Sequence, residues 1–77
     1  MDVFAKVKEI IVNELNCKEA DVTMEAKLRD DLGADSIDAV QIVMEVEEAF
    51  GIEVDDAEAE AMETVGNVVK YIEEHIK

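Results

Sequence analysis

The sequence predicts an all-α fold: a small helical bundle of three main helices and one short one, with a long loop after the first helix. Three observations predict it. Apolar residues recur at three- and four-residue spacing in three separate segments. No segment alternates apolar and polar residues between turn signals, as a strand would. There are no prolines to interrupt the helical runs, and Gly51 stands where a helix would end. The 77 residues fit one domain, residues 1–77. A core of that size supplies only about 3–5 kcal/mol of net stability.

The first helix is carried by Val3, Phe4, Val7, Ile10, Ile11 and Leu15, with Asp2 placed to accept from its first free amides. From Asn16 to Asp35 the apolar residues Val22, Met24, Leu28 and Leu32 show no sustained period, so this stretch reads as a loop. A structureless loop of that length needs a reason inside a compact domain, and the expectation is that those four side chains pin it across the helices. A second helix follows from about Ser36 to Phe50, ended by Gly51. Asp56 to Met62 forms a short helical turn. The last helix follows Thr64, a capping residue, and carries Val65, Val68, Val69, Ile72 and Ile76 as one stripe.

At 100° per residue the second helix shows two apolar faces. Ala39, Ile42, Val43, Val46, Ala49 and Phe50 share one side and form the expected core face. Ile37, Val40 and Met44 lie roughly opposite, beside Gln41, Glu45, Glu47 and Glu48. A bundle helix has to bury only one stripe. The second reads as a contact surface for another protein, against the alternative of a helix covered on both sides by the long loop.

The charge excludes whole classes of function. There are 21 acidic residues against 7 basic ones, a formal net charge of −14. Between Asp30 and Val69 lie thirteen Asp or Glu and no Lys or Arg. Such a surface repels nucleic-acid phosphates and anionic lipid and attracts basic protein patches or cations. No stretch approaches the roughly 20 apolar residues of a membrane span, and the opening MDVFAKVKEI has no signal-length apolar run. The single cysteine, Cys17, allows no internal disulfide and no Cys-x-x-Cys site. A cytoplasmic monomer without nucleic-acid binding or membrane insertion is the expectation.

The stretch DLGADSID, residues 31 to 38, sets Ser36 among aspartates where the second helix begins. Capping is one explanation: Asp35 or Ser36 at the N-cap, with Asp38 in the first turn, suits the free amides and the dipole. Nucleophilic catalysis fits poorly. A hydrolase elbow needs glycines two residues either side of the serine, whereas Gly33 is three residues away, and the only histidine, His75, lies in the last helix. No catalytic residue is assigned. A calcium loop with Gly33 as its invariant glycine would place Leu28 and Leu32 at ligand positions, and neither can ligate. No metal ligand is assigned. Attachment is the third explanation, because a helix N-terminus favours a phosphate ester.

The run Asp31-Leu32-Gly33-Ala34-Asp35-Ser36-Ile37-Asp38 resembles the phosphopantetheine attachment site of acyl carrier proteins, with Ile37 where leucine is most frequent. The resemblance covers nearly the whole chain, including "VMEVEEAFGIEV" and "TVGNVVKYIEEHI", and is closest to the free-standing carriers of bacterial-type fatty acid synthesis. It implies that a phosphopantetheinyl transferase moves 4′-phosphopantetheine from coenzyme A to the Ser36 hydroxyl. The chain would then carry growing acyl groups as thioesters between synthase enzymes and perform no chemistry itself. It also implies docking onto basic patches: Asp35 and Asp38 toward the transferase, Glu47, Glu48, Glu53 and Asp56 as further charges, and Ile37, Val40 and Met44 as apolar contacts. Gln41 departs from the acid frequent at its position. A peptidyl or polyketide carrier and a D-alanyl carrier are the neighbouring alternatives, although Gly33-Ala34-Asp35 differs from the Gly-Gly-His that peptidyl carriers often show. An unmodified acidic interaction module is the alternative from a different class.

Overall fold

The computed structural model describes residues 2–76 and contains four α-helices and no strand among them. Helix α1 spans Val3–Leu15 and starts where the sequence places a cap: the Asp2 side chain accepts from the Ala5 amide at 3.2 Å. It ends at Asn16, whose φ of 55° turns the chain into the loop. Helix α2 spans Ser36–Phe50, α3 spans Asp56–Ala61 and α4 spans Val65–His75. Gly51 closes α2 at φ 66°, a conformation that a residue with a Cβ adopts at a cost, and its amide donates to the Glu47 carbonyl at 2.9 Å. The Thr64 cap is part of a reciprocal box. Its hydroxyl oxygen accepts from the Asn67 amide at 3.1 Å, and Asn67 Oδ1 accepts in return from the Thr64 amide at 3.0 Å.

Helix α1 packs against both α2 and α4. The core joins Val3, Val7, Ile10 and Ile11 of α1 to Ile42 and Val46 of α2 and to Val65, Val68, Val69 and Ile72 of α4. Helix α3 contributes no buried residue; it is the most loosely seated element, with only Ala59 half-buried in it.

Residues 16–35 contain one short 3-10 turn, Glu19–Asp21, and are otherwise irregular. Val22 and Leu28 are buried and Leu32 is half-buried, as expected of residues pinning the loop. Met24 is a correction: it is 43% exposed. Its backbone, not its side chain, makes the attachment, since the Met24 carbonyl accepts from the Gly66 amide at 2.9 Å. Small residues that carry little periodic signal, Ala26 and Ala34, are buried in its stead. Main-chain bonds add to the pinning. Leu28 N–H donates to the Glu63 carbonyl at 2.9 Å and Val65 N–H to the Ala26 carbonyl at 3.0 Å, around a single antiparallel bridge between Lys27 and Thr64. This bridge satisfies backbone groups that the loop cannot satisfy internally. Ala49, expected on the core face of α2, is exposed on its last turn. A lone methyl there forgoes only about 0.8 kcal/mol of burial.

Candidate functional site: the start of helix α2

The turn before α2 is built from its own short-range bonds. The Asp31 carboxylate accepts from the Lys27 amide at 2.8 Å, and the Ala34 amide donates to the Leu28 carbonyl at 2.8 Å. Ala34 is thereby buried while Asp35 and Ser36 emerge on the surface. Asp35 is the N-cap. Its Oδ1 accepts from the Asp38 amide at 2.8 Å, and Asp38 Oδ2 accepts from the Asp35 amide at 3.3 Å. The two aspartates therefore fill the capping box between them. Ser36 is the first helical residue and is not required as a cap, so its exposed hydroxyl is left available at the positive end of the helix.

Beside it, Ile37, Val40 and Met44 are 71, 56 and 55% exposed, the most exposed large apolar residues among those described. They stand on one face, which runs from the residue next to the serine to about two turns beyond it. A solvated apolar stripe of this kind is a candidate interaction surface.

The acids around the stripe are not paired. The one ion pair among the described residues joins Lys6 to Glu9 at 3.6 Å, on α1. Asp35, Glu48, Glu53 and Asp56 are exposed, and Asp38 and Glu47 are half-buried. Glu47 also serves the fold: its Oε2 accepts from the Val54 amide at 2.8 Å. Among the described residues no group of three or more His, Cys, Asp or Glu side chains is arranged to hold a metal ion.

Between α2, α3 and α4 lies a cavity of about 20 Å³, bordered by Ile42, Val46, Met62, Val68, Tyr71 and Ile72. That is room for about one water molecule.

Asp35, Ser36, Ile37 and Asp38 thus meet at the start of α2, Val40 and Met44 lie along it, and Glu47, Glu48, Glu53 and Asp56 lie at and beyond its far end. Three contributors went unread: Asp31, which ties the turn, Glu47 in its bond to Val54, and Tyr71, whose hydroxyl donates to the Glu53 carbonyl at 3.1 Å. Only Asp31 left a signal, as an acid four residues after the amide it accepts from.

Comparison with known proteins decides the family. A family model described as a phosphopantetheine attachment site matches residues 5–72. The chain belongs to that phosphopantetheine-attachment family. Relatives of this family member include the acyl carrier protein of Thermotoga maritima, 53% identical over 75 residues, which are 97% of this chain and 93% of the relative. Among solved structures, the acyl carrier protein of Enterococcus faecalis is 44% identical with a TM-score of 0.79, covering 92% of this chain and 90% of that one. A Mycobacterium tuberculosis structure assigned as an acyl carrier protein is 28% identical with a TM-score of 0.87, covering 92% of this chain and 95% of the other. As a member of the family the chain holds covalently attached 4′-phosphopantetheine and is a carrier, not an enzyme. The site's geometry suits such a group, because a hydroxyl released from capping is exposed at a helix N-terminus that favours a phosphate ester. No described helix is long and apolar enough to cross a membrane.

Proposed function

We propose that this chain is a monomeric, single-domain acyl carrier of fatty acid synthesis in the cytosol, and that Ser36 is its attachment residue. In the attachment step Ser36 Oγ loses its proton and forms a phosphodiester with the phosphopantetheine of coenzyme A, releasing the adenosine bisphosphate. When bound, the group supplies a terminal thiol that holds acyl chains as thioesters. The observation that carries this reading is the capping box: Asp35 and Asp38 cap α2 without Ser36, which leaves its hydroxyl free beside a solvated apolar stripe.

The protein's own part is presentation. Asp35 and Asp38 fix the first turn of α2 and offer negative charge to a phosphopantetheinyl transferase with a basic patch. Glu48, Glu53 and Asp56, with the free oxygen of Glu47, extend the same address to synthase enzymes. Ile37, Val40 and Met44 supply apolar contact. Contacts dominated by exposed charge form fast and dissociate readily at cellular salt, which suits a carrier that visits many enzymes.

The test is the cargo. Protein isolated from its source cells, with thioesters preserved, is expected to carry the arm and straight-chain acyl groups of several lengths. An aminoacyl or D-alanyl cargo would replace fatty acid synthesis with the corresponding carrier role. A chain isolated without any arm would leave an acidic interaction module.

A further inference from the structure

Three methionines lie among the described residues, and the fold treats them differently. Met62 is half-buried and borders the internal cavity. Met24 is exposed on the long loop, where its backbone carbonyl, not its thioether, makes the attachment to α4. Met44 is 55% exposed in the middle of α2. It completes the outward stripe with Val40 four residues before it and Ile37 seven before it. Neither the capping box nor the core uses its sulfur.

We propose that Met44 is an oxidative modification site, and that a peroxide converts its thioether to the sulfoxide and so weakens docking through the α2 stripe. The inference rests on the reading of that stripe as a docking surface. The step balances with a peroxide alone. The sulfur lone pair attacks the distal oxygen, the O–O bond breaks, and one S–O bond forms as the sulfur loses two electrons. With hydrogen peroxide the other oxygen leaves as water, and no proton is gained or lost overall.

Access and environment both favour an effect at this position. Met44 meets the oxidant without unfolding, whereas Met62 is half-buried. Oxidation turns an apolar contact into a polar one with a strong acceptor oxygen, which resists transfer from water into an apolar interface. The same face carries Gln41, Glu45 and Glu48, so the negative end of the new dipole adds to a surface that already repels acceptors. The fold has nothing to lose, since Met44 belongs to no buried cluster. Because only three large apolar residues form the stripe, altering one of them removes a sizeable share of its apolar area.

The experiment uses the full chain without its arm, in a Cys17→Ser background so that thiol oxidation does not interfere. It is treated with hydrogen peroxide and freed of oxidant, and the oxidised positions are then located by peptide mass. The readouts are the melting temperature and kcat/KM for phosphopantetheine transfer by a transferase. Oxidation of Met44 is expected to lower kcat/KM by about fivefold or more while the melting temperature holds. Met24→Leu protein should lose as much on peroxide treatment. Met44→Leu protein should have the same kcat/KM before and after treatment, whatever its starting value. Met44→Gln, which mimics the sulfoxide's polarity, should be slowed without any oxidant. The inference is overturned if peroxide oxidises Met24 and spares Met44, or if Met44→Leu protein is slowed by peroxide as much as the parent. If instead Met44→Gln is transferred at the parent rate, the docking role of the stripe fails as well, which separates the two conclusions.

Discussion

The Tyr71 hydroxyl of α4 donates a 3.1 Å hydrogen bond to the Glu53 carbonyl, tying the last helix to the segment between α2 and α3. One residue further on, the Val54 amide donates to Glu47 Oε2 at 2.8 Å. Tyr71 and Val54 both border the internal cavity, so these two bonds hold one of its walls shut. At its other end the same wall is fixed by main-chain bonds, through Leu28 and the Glu63 carbonyl. The side-chain ties lie at the N-terminal end of α3.

Tyr71→Phe removes one tie and keeps the ring. It is expected to lower the melting temperature modestly, the effect of losing one exposed hydrogen bond. Hydrogen exchange should quicken at the Val54 amide more than at the amide of Val7, which is packed in the core. Equal effects at both amides would mean that the bond stabilises the fold as a whole and does not hold this wall.

The same hydroxyl gives an alkaline pH dependence. Burial pushes Tyr71 above the usual phenol value, and the carboxylates of Glu58, Asp55 and Glu47 add to the shift. The folded state therefore holds the phenol proton more tightly than the unfolded state does. Its contribution to stability is complete below the ordinary phenol value of about 10 and declines as pH rises from there through the raised value. Denaturant unfolding of wild type and Tyr71→Phe across that window should show a steeper loss in the wild type. Parallel curves would contradict it.

Asp35 caps α2 and, in the proposed function, also docks the transferase; one pair of substitutions separates the two. Asp35→Ala removes the cap acceptor and should cost about 0.5–2 kcal/mol. Asp35→Asn keeps an acceptor for the Asp38 amide but loses the charge, so its melting temperature should fall much less. Its transferase kcat/KM should nevertheless drop, and the drop should shrink as salt is raised. A rate equal to wild type would remove Asp35 from the docking surface and leave it a cap only.

Gly66 is a glycine for lack of space. A Cβ there would lie 2.9 Å from the Met24 backbone oxygen, which cannot swing away as a side chain would. Alanine normally stabilises a helix by about 1 kcal/mol over glycine. Gly66→Ala is expected to reverse that sign and destabilise by about 1–3 kcal/mol, since it forces the loop off α4. A rise in the melting temperature would show that the loop at Met24 yields to the added Cβ.

The four helices were legible because their signals are local. Asp2, Thr64 and Gly51 mark helix ends within a turn of the residues they cap, and the stripe of Ile37, Val40 and Met44 follows from period alone. The attachment motif was legible as a run of eight residues. The loop was not, because it is held by main-chain bonds to Glu63, Val65 and Gly66, some 40 residues away, and backbone groups carry no residue signature. For the same reason Met24 looked like an anchor when its carbonyl was the anchor. The ties from Glu47 and Tyr71 also end on backbone atoms, so their partners had no letter to read. Asp35 and Ser36 were equal candidates for the cap until the geometry assigned it to Asp35.

That assignment frees Ser36, and the most direct measurement follows from it. The chain without its arm is incubated with coenzyme A, magnesium and a phosphopantetheinyl transferase. Intact mass and peptide mapping then follow, with Ser36→Ala treated in parallel. One phosphopantetheine located on Ser36, and none on Ser36→Ala, is the predicted result. No mass gain with several broad-specificity transferases, or a gain that persists in Ser36→Ala, would contradict it.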